Sequence, residues 1–487
     1  YANGGDFIMA GDGTTAGTGT FNFNGTTQTT PRADVGSIAD GYSGNLAGPG
    51  TLIGTYTGTD WASGFRFFRG SVSVNLSGGT TVLKQGLGEV TLSGDNSGLT
   101  GAVAANTRLD AGNLILDYTS SNTSKLPSNR SLDMRGGILT ITGNASAATS
   151  QTVAGLTLAS GGSNRIAVVA GSGQAAVLTL GAITRAAGAG TLRVVLPSGT
   201  QDATNGVITS STVTNGTMAG YLTISDGTGV YFATKNASNN LIAVASTTKT
   251  DVSTWSGIDN VDNVGGAFTG TFAASGSINT LTFASASSST VTIASGATLN
   301  ILSGGVLMTS AVTSGTHTIT GGRLTSGIAD LVFTHEGAAT LNVASNIGSN
   351  NAITKTGNGI LRLTNAANTF TGAVNVQAGT LQAAGGNAIG DASLVTLSDD
   401  QASTFQLIGN ETIGGLAGGN ATSGLVVGTV ALGSNNLTIG PTAGTYAGIF
   451  TGSGTLTRNG TSGLGNLSLT GASGSGFTGA LVVNGGL

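Results

Sequence analysis

Apolar and small polar residues alternate along most of this chain in short segments, each followed by a corner that contains glycine. Alternation with a period of two, bounded by Gly, Asn and Ser, is typical of β-strands. In the segment VTIASGATLNILSGGVLMTS, Val291, Ile293, Leu299 and Ile301 alternate with small polar residues around SGA and SGG corners. No stretch shows the spacing of an amphipathic helix. We therefore expect an all-β chain.

Strands this short, joined by tight corners, fit either a series of hairpins or one coil that is wound repeatedly. Hairpin sheets expose edges that proteins usually blunt with lysine and proline, yet the whole chain has 17 Lys plus Arg and 5 Pro. A coil needs less protection, because each turn pairs with the next. We predict a parallel β-helix, or β-solenoid, of about 20 turns with about 20–25 residues each.

The composition excludes several other classes of protein. Only 8% of the 487 residues are charged, against roughly 25% in an ordinary soluble domain, and helical surfaces need more. The hydrophobic fraction of 39% is too high for a disordered chain. The absence of cysteine excludes disulfides and thiolate metal sites. A net charge of −4 indicates no nucleic-acid partner, and the most apolar stretch, from Arg165, is too interrupted by polar residues for membrane insertion.

Internal repeats support the coiled architecture. Residues 355–381 read KTGNGILRLTNAANTFTGAVNVQAGTL, residues 84–114 read KQGLGEVTLSGDNSGLTGAVAANTRLDAGNL, and residues 458–487 hold a looser copy that begins RNGTSGLGNLSL. A second pair of related stretches, QTVAGLTL and ETIGGLAG, follows the first two copies. A larger module therefore occurs twice. We predict an N-terminal cap with the first turns over 1–83, one module over 84–248 and a second over 249–487.

Each copy predicts its own geometry. Glycine permits the positive φ that a tight corner demands, and stacked asparagines can form hydrogen bonds along the axis. In the copy at 355–381 we expect six apolar side chains to point inward: Ile360, Leu363, Phe370, Val374, Val376 and Leu381. We expect four small or amide residues at corners: Asn365, Asn368, Gly372 and Gly379.

The segment KTGNGILRLTNAANTFTGAVNVQAGTL resembles the autotransporter-associated β-strand repeat, also called the passenger-associated transport repeat. The shared pattern is Lys-x-Gly-x-Gly, then alternating leucines, Asn-x-Phe-Thr-Gly and a closing Gly-Thr-Leu. The resemblance implies an exported bacterial protein whose repeats form a right-handed parallel β-helix, secreted or held at the cell surface. It also implies that the repeat serves passenger export and folding rather than a reaction.

The sequence stops at VVNGGL in mid-repeat. An open last turn would offer unpaired backbone groups to a second copy, and such a head-to-tail contact does not close. We therefore expect end-to-end self-association into a surface fibre or filament. The alternative is that the stretch belongs to a longer polypeptide.

The chain offers few candidates for chemistry. Asp259 with Asp262, and Asp399 with Asp400, are pairs of carboxylates that can ligate calcium, although acidic residues in polar corners are usually solvated. The two histidines are His317 and His335. A Ser-His-Asp arrangement can be drawn on paper only, from Asp330, Thr334, His335 and Glu336. We expect both histidines to face outward from strands. We assign no catalytic residue, no cofactor and no metal site.

Two surface features also have alternative interpretations. DWASGFRFFRG concentrates Trp61, Phe65, Arg66, Phe67, Phe68 and Arg69. Such a cluster can bind a glycan or a partner, or it can plug the end of the core, and we favour the cap. Thr-x-Thr pairs also recur, as at Thr280 with Thr282, Thr290 with Thr292, and Thr318 with Thr320. A flat threonine ladder can order ice, but threonine is also common on exposed strands.

The sequence therefore predicts a non-enzymatic extracellular β-solenoid with a structural or adhesive function. Host-surface or glycan ligands are the external partners that this function implies. The alternative is a carbohydrate-active parallel β-helix enzyme of the polysaccharide lyase or glycosidase type. That alternative requires carboxylates that converge with a base on one face.

Overall fold

The computed structural model confirms an all-β chain built from parallel turns. It describes residues 7–9, 18–22, 26–30, 32–35, 43–47, 51–54, 64–100, 106–159, 162–328, 330–348, 352–419, 428–460, 465–471 and 476–484. The single helix in these ranges is a 3₁₀ turn, Val252–Thr254. The described residues thus contain no helix with the length and apolar character needed to span a membrane.

The chain divides into two compact units, and the division lies within residues 212–243. The first unit comprises 1–212, 224–228 and 234–242, and the second comprises 213–223, 229–233 and 243–487. The predicted boundaries at 83 and 248 stay a prediction.

In the first unit, two long parallel sheets run side by side along the chain. Sheet A1 contains β1 (Phe7–Met9), β4 (Arg32–Val35), β7 (Gly64–Phe67), β10 (Val82–Lys84), β12 (Thr107–Leu109), β14 (Leu132–Met134), β17 (Gly155–Leu158) and β20 (Ala182–Arg185). Sheet B1 contains β2 (Thr18–Asn22), β5 (Ser43–Ala47), β8 (Gly70–Val72), β11 (Glu89–Leu92), β13 (Asn113–Asp117), β15 (Gly137–Thr142), β18 (Ser163–Val169) and β21 (Thr191–Val195).

Shorter strands form two further parallel sheets in the first unit. Two three-stranded groups are formed by β3 (Thr27–Thr30), β6 (Thr51–Gly54) and β9 (Asn75–Ser77), and by β16 (Thr149–Thr152), β19 (Ala176–Thr179) and β22 (Gly206–Ile208). Three further strands have residues divided between the two units: β23 (Leu222–Ser225), β24 (Val230–Lys235) and β25 (Leu241–Ala243).

The second unit repeats the arrangement with three sheets. Sheet A2 contains β26 (Thr247–Thr248), β27 (Asn260–Asp262), β30 (Thr280–Phe283), β32 (Gly305–Met308), β34 (Asp330–His335), β37 (Ala352–Thr356), β39 (Val374–Val376), β41 (Leu394–Leu397), β44 (Gly415–Gly418), β47 (Gly444–Tyr446) and β50 (Leu467–Leu469). Sheet B2 contains β28 (Thr271–Phe272), β31 (Ser289–Ile301), β33 (His317–Ser326), β35 (Thr340–Val343), β38 (Ile360–Leu363), β40 (Gly379–Ala383), β42 (Ser403–Leu407), β45 (Gly428–Gly433) and β48 (Ile449–Gly452), with β29 (Gly276–Ile278) paired to β31 and β36 (Asn346–Ile347) paired to β33. Sheet C2 contains β43 (Glu411–Ile413), β46 (Leu437–Ile439), β49 (Leu456–Asn459) and β51 (Leu481–Asn484).

The predicted parallel β-solenoid is confirmed, with about 17 turns in place of about 20. The count is lower because several turns are longer than expected. Val374 pairs with Val395, 21 residues on, but Gly418 pairs with Tyr446, 28 residues on. The right-handed winding that the resemblance implies stays a prediction.

The core consists of columns of identical or similar side chains, one from each turn. In sheet B2, the registers place Leu341, Leu361, Leu381, Phe405 and Val430 in one such column, and all five are buried. Each fully buried Leu or Val contributes about 1.5–3 kcal/mol. The column also corrects one expectation: Leu361 points inward, and Ile360, which is half-buried, shares the outward face with Arg362. The other five predicted inward residues are buried.

One predicted corner is instead part of a strand. The SGA sequence at 295–297 lies inside β31, which continues to Ile301. The register with β33 shifts between Ile293 and Thr298, and Gly296 has a φ of +78°. Between the pairs on either side of this shift, β31 has four residues and β33 has one, and the three extra residues form a bulge that leaves those pairs intact. The SGG corner is confirmed, with Gly304 at a φ of +74°.

Gly379→Ala should destabilise the second unit much more than Gly296→Ala. Both glycines have positive φ, but a Cβ on Gly379 would lie 2.4 Å from the carbonyl oxygen of Gly357, whereas a Cβ on Gly296 meets no atom within 4 Å. We expect a loss of about 3 kcal/mol for Gly379→Ala and about 1 kcal/mol for Gly296→Ala. Thermal unfolding and hydrogen exchange measure the difference. Equal losses would show that backbone strain, and not close packing of turns, sets the requirement for glycine.

Candidate functional site: the corner clips of the repeat

The structure gives the predicted acidic pairs partners of their own. Asp259 accepts hydrogen bonds from Lys249 Nζ (2.6 Å) and from the backbone of Ser256 (3.0 Å). Asp262 accepts from the Ser246 and Thr248 hydroxyls and from the backbone of Val264. Among the described residues, no three acidic or histidine side chains are grouped so that they could hold a metal ion.

The second acidic pair is equally local. Asp400 accepts a hydrogen bond from the Ser398 hydroxyl, and Asp399 is exposed to solvent. Neither carboxylate belongs to a group of three acidic or histidine side chains in the part of the chain that the structure describes.

The expectation that the histidines face outward is wrong. His317 is fully buried, stands edge-on to the Phe283 ring at 5.9 Å, and has Nε2 2.9 Å from the carbonyl oxygen of Ser314. His335 is 1% exposed and shares the inward face of β34 with Leu331 and Phe333. Both rings fill space in the core. The alternating pattern of the sequence around each histidine is compatible with this inward position as well as with the expected outward one.

Burial of His335, together with the nearby positive charge of Lys355, lowers its pKa to about 3. The imidazole is therefore neutral at ordinary pH. Thr334 and Asp330 are one and five residues away on the same strand, so they lie on the opposite face. The Ser-His-Asp arrangement is not assembled.

The aromatic segment contributes to the core of the first unit. Phe65, Phe67 and Phe68 are buried, and β7, which carries the first two, is paired on one side with β4 and on the other with β10. Arg66 lies over the Phe68 ring at 5.1 Å. Trp61 lies outside the described residues. Buried rings between paired strands fill a turn and do not form an exposed glycan patch.

The threonine pairs are divided between two sheets. Thr290 and Thr292 of β31 pair with Thr318 and Thr320 of β33 in sheet B2. Thr280 and Thr282 lie in sheet A2, and Thr280 is buried. The three pairs therefore do not form one continuous face.

The most distinctive chemistry lies at the lysines that begin the first two repeat copies. Lys84 and Lys355 are 0% exposed. Lys84 Nζ donates to the carbonyl oxygens of Gln85 (3.0 Å), Gly86 (2.7 Å) and Ala111 (3.0 Å). Lys355 Nζ donates to the equivalent oxygens of Thr356 (3.0 Å), Gly357 (2.6 Å) and Ala378 (3.0 Å). We call each lysine with its three carbonyls a lysine clip.

The local sequence explains why the clip forms. Lys84 is the last residue of β10 and Lys355 is the second-last residue of β37, and both side chains face inward. A glycine with positive φ follows each lysine after two residues: Gly86 at +72° and Gly357 at +75°. That conformation directs carbonyl groups away from the strand ladder. Buried carbonyls without a donor are costly, so the lysine satisfies them. Because the third carbonyl belongs to the next turn, each clip also joins two turns.

Burial lowers the pKa of Lys84 and of Lys355 to about 7, against an ordinary 10.5. For Lys355 the charge of Glu336 opposes this shift. Three carbonyl acceptors match the three N–H bonds of an ammonium group, whereas a neutral amine has two. The geometry therefore suits the protonated form.

Asparagine forms a second clip at the opposite corner. Asn368 accepts from the backbone of Ile347 in the preceding turn (2.7 Å) and donates to the carbonyl of Ala388 in the following turn (2.9 Å). Asn96 makes the same two bonds, from Leu76 (2.9 Å) and to Lys125 (3.4 Å). One buried amide therefore connects three successive turns. The asparagines thus form hydrogen bonds along the axis as expected, but their partners are backbone groups of the neighbouring turns and not stacked asparagines.

Glu411 takes the asparagine position in a later turn. Its Oε1 accepts from the backbone of Ile389 (3.3 Å), as Asn368 does from Ile347. Glu411 is 2% exposed, and burial raises its pKa to about 8. A protonated carboxyl has one donor and one acceptor oxygen, as an amide has a donor and an acceptor. The neutral acid therefore reproduces the accepting half of the asparagine clip, whereas Oε2 of Glu411 is buried and has no hydrogen-bond partner among the described residues.

Sequence reasoning missed a third buried lysine. Lys125 Nζ donates to the carbonyls of Ser93, Gly94 and Ser121, and it lies over the Tyr118 ring at 5.1 Å. No Gly-x-Gly corner follows Lys125, so the repeat pattern gives no signal for it. In the looser third copy, Arg458 stands in the lysine position and donates to the carbonyl of Gly465 (2.8 Å).

Lys355→Met should destabilise the second unit by about 3 kcal/mol, because it removes the ammonium group that donates to three carbonyls in two turns. Lys249→Met, which removes a partly exposed ion pair to Asp259, should cost less than about 1 kcal/mol. Hydrogen exchange in 353–383 measures the effect locally. Similar losses in both variants would contradict the structural role of the clip.

Glu411→Gln should change how the stability of the second unit depends on pH. The folded-state pKa of Glu411 is raised to about 8 from 4.5, so its contribution is present below about pH 4.5 and is lost as pH rises through 8. Glutamine cannot ionise. We expect equal free energies of unfolding near pH 4 and an advantage for the variant on the order of 3 kcal/mol near pH 9. Urea unfolding followed by circular dichroism across this range checks the trend, and a difference independent of pH would contradict it.

Comparison with known proteins agrees with this geometry. The passenger-associated-transport-repeat family matches residues 353–383, the segment that contains the Lys355 and Asn368 clips. The resemblance inferred from the sequence is thus confirmed over that copy.

A longer similarity extends over about half of the chain. The adhesin BmaC autotransporter of Brucella suis biovar 1 (strain 1330) is 30% identical over 287 residues, which is 56% of this chain. The chain covers 8% of the length of that adhesin. No solved structure matches the chain. This chain therefore contains a passenger-associated transport repeat and is distantly similar to part of an autotransporter adhesin.

Proposed function

We propose that this chain is a non-catalytic, adhesive β-solenoid segment of an autotransporter passenger, exported to a bacterial surface. The observation that carries the proposal is the pair of lysine clips. They give a physical role to the Lys-x-Gly pattern that the first two copies of the repeat share, and that role is to hold turns together. The distant similarity to an autotransporter adhesin supports both the adhesive function and the surface location.

The clips also suggest how the repeat serves folding. Each lysine clip joins one turn to the next, and each asparagine clip joins three. A turn that docks on a completed turn gains these bonds together with its ladder and its share of the core. Stability therefore accumulates turn by turn, as in other solenoids. Such growth suits a chain that crosses a membrane from one end.

The enzyme alternative receives no support from the described residues. Asp259 and Asp262 have their own structural partners, and both histidines are buried in the core. A lyase or glycosidase needs an accessible acid and base on one face. End-to-end association of copies is a separate part of the proposal, since a parallel turn can pair with a turn of another copy.

Adhesion can be measured with the purified chain attached to fluorescent beads. We expect saturable binding to cultured epithelial cells that exceeds the binding of beads carrying an unrelated β-solenoid of similar charge. Binding at the level of this control would contradict the proposal. Release of unsaturated or reducing sugars from polysaccharides in the same preparation would favour the enzyme. Electron microscopy of that preparation distinguishes filaments from separate particles.

A further inference from the structure

A small pocket on the outer side of sheet A2 has the composition of a sugar-binding site. It has a volume of about 90 Å³, and all its lining residues belong to the second unit. Its floor is the outward face of β27, β30 and β32, where Asp262 pairs with Thr282 and Thr282 pairs with Leu307. Val264 and Thr309, two residues beyond Asp262 and Leu307, extend the floor.

The remaining wall comes from the segment around β24. Tyr231 and Phe232 line the pocket together with Val244, whose backbone N–H donates to the carbonyl of Phe232 (2.8 Å). Phe232 lies directly over Gly305, since a Cβ there would be 2.6 Å from the ring. The pocket thus combines aromatic and aliphatic surface with a few polar groups, which is the usual composition of a ligand site.

Two of the side chains that line the pocket have hydrogen-bonding capacity left for a ligand. Thr309 Oγ1 is buried and has no hydrogen-bond partner among the described residues. A buried hydroxyl without a partner costs about 1–3 kcal/mol, and a ligand that pairs with it removes this cost. Asp262 Oδ1 accepts two hydrogen bonds, while Oδ2 accepts one, from Ser246. A carboxylate oxygen has two lone pairs, so Oδ2 can accept another donor.

The charge of the pocket restricts the ligand. Its lining includes the Asp262 carboxylate and, among the described residues, no lysine or arginine. Anionic ligands such as uronic acids, sialic acids and phosphates would therefore be repelled. A neutral sugar offers hydroxyl donors to Asp262, a partner to Thr309, and a C–H face to the aromatic wall, whose negative ring faces attract it. The volume accommodates part of one sugar ring.

We propose that this pocket binds the terminal residue of a neutral glycan. The assignment rests on the proposed adhesive function and gives that function a ligand class. Val264, at the solvent-exposed end of the floor (58% exposed), provides apolar surface where a following sugar would lie.

Saturation-transfer NMR of the full chain with a panel of methyl pyranosides tests the proposal. The panel contains the glucoside, galactoside, mannoside and N-acetylglucosaminide as neutral probes, with methyl glucuronide and choline chloride as charged ones. We expect at least one neutral glycoside to bind and methyl glucuronide, which the Asp262 carboxylate repels, to fail. Absence of binding by every neutral glycoside, or preferential binding of glucuronide or choline, would overturn the assignment.

Thr309→Val locates the binding site. Valine has nearly the shape of threonine and removes a hydroxyl that has no partner, so the variant should fold with equal or higher thermal stability. We expect about tenfold weaker glycoside binding. Thr320→Val, on an outward position of β33 in sheet B2, should bind as the original chain does. Unchanged affinity in Thr309→Val would overturn the assignment.

Tyr231→Leu provides an independent variant on the aromatic wall. It should also weaken binding while the circular dichroism spectrum is retained, and unchanged affinity would again overturn the assignment. The adhesion assay separates the two proposals. Adhesion of beads that the glycosides do not inhibit would reject the pocket and leave the adhesive function. Glycoside binding without adhesion would support the pocket and reject that function.

Discussion

The constraint on which this structure depends is that every turn must satisfy the backbone polar groups of its neighbours. Along the straight segments the parallel ladders do this, as between β37 and β39. At the corners the ladder is interrupted, and glycines with positive φ direct carbonyls into the core. The lysine and asparagine clips supply donors and acceptors there. The lysine, glycine and asparagine residues that characterise the repeat therefore provide the hydrogen bonds and backbone conformations of the corners. The alternating pattern of the strands is separate from them and is common to the whole chain.

This constraint also separates the parts of the chain that maintain the fold from those that are free for function. Buried polar residues such as Lys84, Lys355 and Asn368 are committed to backbone partners. Outward positions are not restricted in this way, so they can vary while the columns of Leu, Val and Phe persist. A binding site is therefore expected on an outward face, and the pocket beside Asp262 and Thr309 lies on one.

Part of this arrangement was predictable from sequence. The Lys-x-Gly-x-Gly pattern marked where the clips occur, and the paired copies at 84–114 and 355–381 predicted that they would be equivalent. The role of the lysine was not predictable, because lysine in a polar corner is normally solvated. Glu411 gave no signal either, since only the register of its turn with the turn of Ile389 reveals that it replaces an asparagine.

The sequence by itself determined the all-β class, the parallel winding and the repeat. The alternation of apolar and polar residues and the recurrence of similar segments can both be read directly from the order of residues along the chain. Tertiary structure decided which of two adjacent apolar residues faces inward, as with Leu361 and Ile360, and whether a glycine forms a corner or a bulge, as at Gly296. It also decided that both histidines are buried and that Tyr231 and Phe232 line a pocket together with residues of sheet A2. These outcomes depend on the register between turns, which is set by packing across residues that are distant in the chain.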